Sequence, residues 1–256
     1  MSVQKVTLIG SGNVAYNLAH SFQKNGLEIV EIYSRNLDNA RVLASEIKCE
    51  YTNDLSKLNS SSDLYIIAIK DDAITKIASK LNLKNKLVVH TSGSVSIEVL
   101  KEISKNFGSF YPLQTFTKTK IADILEAPIC VEGNSKVSEE IIEKFARSVS
   151  TKVTKLNSTQ RGKLHLAAVF TSNFANYMQV IAQDICEKEG IDKELLEPLV
   201  KEVFQKNQIQ LAVNNQTGPA KRKDYSTMEK HLELIEKEDI KKLYRVISDI
   251  IGERYS

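Results

Sequence analysis

Short apolar runs alternate with amphipathic stretches along residues 1–157, the pattern that builds a parallel sheet wrapped by helices. Lys5–Gly10 reads as a buried strand, and Asn13–Lys24 as a helix turning Val14, Ala15, Leu18, Ala19 and Phe22 inward, closed by Gly26 just past its end. Leu27–Tyr33 is a second strand, Leu37–Ile47 a helix and Cys49–Tyr51 a short third strand. Leu64–Ile69 is continuously apolar, as a strand covered on both faces must be, and Leu87–His90 follows it. Ser96–Lys105 reads as a helix. Gly108–Tyr111, Ala127–Glu132 and Thr151–Lys155 read as outer strands, with a helix over Ser138–Ser150 between the last two.

From Ser158 the period changes to 3.6, and no strand pattern remains. Gln160–Glu189 reads as one long helix ending at Gly190. Asp192 caps the next, which breaks near Pro198 and runs to about Val213. Asn214–Asp224 is a polar loop, Ser226-Thr-Met-Glu229 has the form of a capping box, and Glu238–Ile251 closes the chain. The expected architecture is therefore α/β: a doubly wound, mostly parallel sheet over residues 1–157, followed by an all-α domain over 158–256.

Composition narrows the class of partner. Thirty-five basic against 32 acidic residues leave a net charge of +3, with the signs interspersed, so no nucleic-acid partner is expected. No apolar run reaches the roughly 18 residues of a membrane helix, and the start of the chain lacks the apolar core of a secretion signal. Cys49, Cys130 and Cys186 are odd in number and far apart, which favours neither disulfides nor a metal site. A cytoplasmic protein without bound metal or membrane contact is the expectation.

Gly10-Ser-Gly12-Asn-Val-Ala15 lies between a strand and a helix, where a G-x-G-x-x-A sequence signals a Rossmann dinucleotide site. Gly10 permits the tight turn, Gly12 lets backbone amides approach a pyrophosphate, and Ala15 lets the helix pack closely. The amides of Ser11, Asn13 and Val14 complete that cradle at the positive end of the helix. An NAD enzyme usually carries a carboxylate at the tip of the second strand; here the tip reads Tyr33-Ser34-Arg35-Asn36. Ser34 and Arg35 suit a 2′-phosphate, which makes NADP the expected cofactor, although Arg35 also fits a solvated residue ahead of a helix cap.

Ile69 and Lys70 at the tip of the fourth strand, and His90 and Ser92 at that of the fifth, fall on the ligand crevice of such a sheet. Asp71 and Asp72 are better read as helix caps than as catalytic acids. His90 has two readings, proton donor or holder of a backbone carbonyl. In the long helix Arg161, His165, Ser172, Asn176 and Gln179 share one stripe about 60° wide on an otherwise apolar surface. Buried polar groups need partners, and the nicotinamide, a substrate or a second subunit would supply them. His165 is the best general acid or base on that stripe; a structural histidine in a dimer core is the competing reading.

These residues resemble a family of Rossmann-like bacterial proteins that carry a C-terminal domain of unknown function, number 2520. Its members are described as NADP- or F420-dependent oxidoreductases, related in fold to pyrroline-5-carboxylate reductase and to 6-phosphogluconate and hydroxyisobutyrate dehydrogenases. The resemblance spans nearly the whole chain, through Gly10–Ala15, Asp71–Ile74, His90–Gly93, Tyr111–Phe116, His165–Asn173, Thr217–Ala220 with Arg222 and Asp224, and His231-Leu232. It implies a helical second domain that dimerises and a crevice near His90, His165, Ser172 and Asn173, with His165, His90 and Asn173 as the catalytic set. Many members have His-Pro where this chain has Tyr111-Pro112, so that histidine's role has no counterpart here. Lys163 lies near the position of a catalytic lysine in the dehydrogenases, but His165 fits the motif better. The expected activity is hydride transfer between NADP and a small C=N or C=O compound or a deazaflavin; the alternative is a dinucleotide-binding regulatory or scaffold protein without that chemistry.

Overall fold

The structure, a computed structural model, describes residues 3–255. Eight strands, β1 (Lys5–Ile9), β2 (Glu28–Tyr33), β3 (Glu50–Thr52), β4 (Leu64–Ile67), β5 (Leu87–His90), β6 (Asn106–Pro112), β7 (Ile129–Gly133) and β8 (Val153–Lys155), form one sheet in the order β3-β2-β1-β4-β5-β6-β7-β8. Every neighbouring pair is parallel except β6 and β7. The order reverses between β1 and β4, so the loops leaving these two strands part to opposite sides and open a crevice at their carboxyl ends.

Strand β4 shows why these runs are apolar throughout. Leu64 and Ile66 join the core on one face, with Leu18 and Phe22 of α1 (Asn13–Lys24), Leu43 of α2 (Leu37–Ile47) and Phe145 of α4 (Lys136–Val149). Tyr65 and Ile67 point into the other, with Ile74 and Ile77 of α3 (Asp71–Ala78), Leu100 and Ile103. Each face thus removes alternate residues from water, a gain of about 25 cal/mol per Å² of apolar area. Phe22, Phe110 and Phe145 meet on the first face with ring centroids 5.3–6.0 Å apart.

The segment expected as a helix over Ser96–Lys105 forms a single tight turn, Ile97–Leu100, capped by Ser96. Its apolar Ile97, Leu100 and Ile103 are buried, so packing rather than helix propensity sets the backbone there.

The first compact unit runs on past 157 to Met178, and the second spans Gln179–Ser256. The expected long helix starts at Ser158 and is interrupted: α5 (Ser158–Ala168) passes through a wider π turn, Val169–Phe174, into α6 (Ala175–Lys188). Its first turn carries a complete capping box, Asn157 with Gln160. The second unit contains the end of α6, α7 (Glu197–Ile209), two single-turn helices α8 (Ala212–Asn215) and α9 (Pro219–Arg222), α10 (Tyr225–Leu234) and α11 (Glu238–Arg254). The expected loop 214–224 is thus partly helical, and the expected cap at Ser226 is displaced by Asp224, whose carboxylate takes the Thr227 amide. Among the described residues no helix is long and apolar enough to cross a membrane, and no cluster of His, Cys, Asp or Glu could hold a metal ion.

Candidate functional site

The turn between β1 and α1 has two glycines held for different reasons. Gly10 sits at φ +138°, and a Cβ there would lie 2.1 Å from the carbonyl oxygen of Ala68, so only glycine lets β1 and β4 approach at the switch point. Gly12 has an ordinary backbone, and a Cβ on it would meet nothing within 4 Å. Its lack of a side chain leaves open space directly before α1. That helix starts without a side-chain cap and without an acidic residue in its first turn, so its leading amides are free to meet an anion. Ser11 and Val14 are half-buried there, and the side chain of Asn13 donates to the carbonyl of Phe116. Asn17, buried one turn on, bonds Thr117 and Ala122 and so fastens the loop after β6 against α1.

At the tip of β2 the hydroxyl of Ser11 donates to that of Ser34 at 2.9 Å, which joins the glycine turn to the place where a ribose would lie. Arg35 is exposed and makes no hydrogen bond or ion pair among the described residues. Asn36, not Arg35, caps α2 through the Asn39 amide. Half-buried Ile69 and exposed Lys70 form the lip of β4, and Asp71, in the first turn of α3, accepts a hydrogen bond from Ser94 of the neighbouring loop.

The tip of β5 departs from expectation. His90 is fully buried, and its Nδ1 accepts the Ser92 amide at 3.2 Å. Nε2 is sealed without a hydrogen-bond partner among the described residues. Burial, reinforced by the positive charge of Arg161, pushes its pKa down to about 4. The imidazole of His90, expected among both the catalytic and the cofactor-binding residues, is therefore neutral and enclosed at the strand tip. Ser92 is also turned inward: its hydroxyl accepts the amides of Ser94 and Val95, and its carbonyl accepts from Arg161.

Arg161, at the end of the first turn of α5, is the hub beneath this surface. Its guanidinium is fully buried and all five N–H groups are used: Nε on Ser92 O, Nη1 on Ser109 and Glu132, Nη2 on Val95 O and Ser158. It pins α5 to the ends of β5, β6 and β7. The sequence placed Arg161 on the polar stripe, but gave no sign of its partners, which come from β6, β7, the loop after β5 and the start of its own helix.

One turn along α5, His165 faces the ends of β5 and β6. Its Nδ1 lies 3.0 Å from the hydroxyl of Tyr111, the two rings meeting edge-on at 79°. A Cβ on Gly93 would fall 2.6 Å from the His165 ring, so the imidazole rests directly on the glycine backbone. Tyr111 was not among the expected site residues; its position at the end of a buried strand, before Pro112, was the available signal. Burial pushes its phenol up to about 12. In the π turn, Ser172 pairs with Thr115 at 3.1 Å, while Asn173 is exposed and makes no side-chain hydrogen bond among the described residues. Asn176 is exposed too, so the expected stripe divides at the π turn. The apolar side of the helix is not buried within the chain: Phe170 and Leu166 are 61% and 57% exposed.

Two family profiles match the chain: one described as NADP oxidoreductase, coenzyme F420-dependent, over residues 5–93, and the domain of unknown function 2520 over residues 127–251. No curated protein matches it. Among solved structures, a Bacteroides fragilis protein provisionally described as an NADP oxidoreductase is 36% identical over 98% of this chain and 99% of its own, with a TM-score of 0.92. A Thermotoga maritima protein is 25% identical over 98% of both chains, with a TM-score of 0.69. A pyrroline-5-carboxylate reductase from Coxiella burnetii, 18% identical over 100% of this chain and 98% of its own, shares the fold at a TM-score of 0.59. With an open glycine turn at the switch point and a relative of this identity along its whole length, the chain belongs to the family that joins an F420-type NADP-oxidoreductase module to domain 2520.

Proposed function

We propose that this protein is an NADP-dependent oxidoreductase acting on a small C=O or C=N compound or a deazaflavin. The observation that carries this reading is the cradle at β1 and α1. Its uncapped amides and the void before Gly12 fit a pyrophosphate, and Ser34 with the unpaired Arg35 fits the 2′-phosphate of NADP at the next strand tip. When bound, the nicotinamide supplies or accepts a hydride. The chain's own part is to present the acceptor: Ile69 and Lys70 border the crevice, and His165, seated on Gly93, offers an imidazole nitrogen to the reacting group. Exposed Asn173 is the third candidate at this surface.

The relative from Bacteroides fragilis supports the choice of NADP, and the F420 profile supports a deazaflavin as an alternative acceptor. We divide the chain functionally at 157/158, α5 opening a helical half that carries His165. A homodimer through that half is supported by apolar side chains left exposed on α6, α7 and α11, including Tyr177, Leu199, Phe204 and Ile250, an area that a lone soluble chain rarely shows. Three unpaired cysteines fit the cytoplasm. Thermal unfolding with NADPH, NADH or neither tests the reading. NADPH should raise the midpoint by several degrees and NADH by less; equal shifts, or none, reject it.

A further inference from the structure

We propose that Tyr111 is a positioning residue that fixes His165 as its Nε2–H tautomer, so that His165 meets its ligand as a hydrogen-bond donor to the lone pair of a carbonyl oxygen or imine nitrogen. This rests on the reading above that His165 works in the acceptor site.

The geometry leaves the phenol little choice. Tyr111 is 8% exposed, and its hydroxyl has no acceptor among the described residues other than Nδ1 of His165 at 3.0 Å. A buried hydroxyl proton left without an acceptor costs about 1–3 kcal/mol, so it is directed at that nitrogen. The phenol keeps its proton across the working range, being held up at about 12. A nitrogen that accepts cannot carry the proton, which therefore sits on Nε2 in the neutral ring. The imidazole is crowded by the backbone of Gly93, which lies against it, and by the Tyr111 ring, whose centroid is 5.9 Å away. Among the described residues Nε2 itself makes no hydrogen bond, yet it is not sealed as Nε2 of His90 is.

This arrangement has the opposite polarity to a histidine oriented by a carboxylate. A carboxylate accepts from Nδ1–H and leaves Nε2 as a base; a phenol donates to Nδ1 and leaves Nε2 as a donor. No carboxylate touches His165 among the described residues. A donor at Nε2 polarises a C=O or C=N bond toward addition at carbon, as hydride delivery requires, and would repel a protonated amine.

Long-range ¹H–¹⁵N spectra of the full-length labelled protein, with His165→Gln for assignment, read which ring nitrogen bears the proton. The wild type should show only the Nε2–H form, with Nδ1 shifted as a hydrogen-bonded acceptor. Tyr111→Phe should move Nδ1 to the position of an unbonded nitrogen and admit the other tautomer. Should Tyr111→Phe not fold, 3,5-difluorotyrosine at position 111 keeps the shape, and its stronger donor should move the Nδ1 signal further in the bonded direction. An Nδ1–H form in the wild type, or a spectrum indifferent to both changes, overturns the proposal. In turnover with NADPH and a ketone or imine, Tyr111→Phe should lower kcat about tenfold with NADPH binding unchanged; equal kcat overturns the catalytic part. Absence of NADPH binding by the wild type would instead sink the oxidoreductase reading, while the spectra would still report on Tyr111.

Discussion

Arg161 on α5 and Glu132 at the end of β7 form an ion pair in which the arginine is fully buried and the carboxylate only 15% exposed. The pair ties α5 to the strand at which the sheet changes direction. Removing one member of such a pair leaves the other charge without compensation, at about 3–5 kcal/mol. Arg161→Met should lower stability by that order, measured as a fall in urea midpoint with unchanged slope. Arg161→Lys should rescue little of it, because an ammonium has three donors where five acceptors wait.

His90 gives the chain an acid-side weakness. Its folded pKa, about 4, lies below the ordinary 6.5, so below pH 6.5 the unfolded chain binds a proton that the fold refuses. Stability is full above 6.5 and declines as pH falls toward 4, by a total of about 3 kcal/mol. Urea midpoints between pH 7.5 and 4 should fall more steeply in the wild type than in His90→Gln, whose side-chain oxygen can still accept the Ser92 amide. Parallel curves would show that His90 titrates normally.

The two glycines of the β1–α1 turn should separate folding from binding. Gly10→Ala must accommodate both a positive φ and a carbonyl 2.1 Å away, and should cost at least about 2 kcal/mol without any ligand. Gly12→Ala meets open space and should change stability by no more than about 0.5 kcal/mol, yet fill the void and weaken NADPH at least about tenfold. Thermal scans with and without NADPH compare the two; undiminished stabilisation of Gly12→Ala would place the cofactor elsewhere.

Arg35→Ala should weaken NADPH by about 10- to 100-fold, the scale of one charged hydrogen bond, and leave NADH within about twofold. Titration calorimetry with both nucleotides measures it. Equal losses would remove the 2′-phosphate contact.

The sheet was legible because a strand covered on both faces must be apolar at every position, as Leu64–Ile67 is, and because Gly10 and Gly12 meet a local steric demand. The interior of the site was less so. Arg161 bonds Ser92 and Ser109, 69 and 52 residues away, Tyr111 bonds His165, 54 residues away, and Gly93 lies against that same His165, and no local period announces such contacts. Two histidines differ in setting: His165 is half-buried and bonded to Tyr111, whereas His90, on a strand tip that faces a crevice in the simple topology, has its side chain turned into the core. A wheel drawn at 100° per residue also carries Asn176 onto the stripe, because it cannot register the wider turn before it.

That wider turn has a consequence for mutation. Between Val169 and Phe174 the helix takes up more residues per turn than an α-helix does, so it holds a register slip in place. Deleting one residue there would relax it to ordinary α geometry and leave later side chains near their present angle about the axis, with His165 upstream keeping its bond to Tyr111, whereas a deletion in the regular part of α6 would swing those beyond it by roughly 100°. The segment acts as a phase-setter: one half of the helix can be tuned to the sheet and the other to its own surroundings, with neither having to match the other's period.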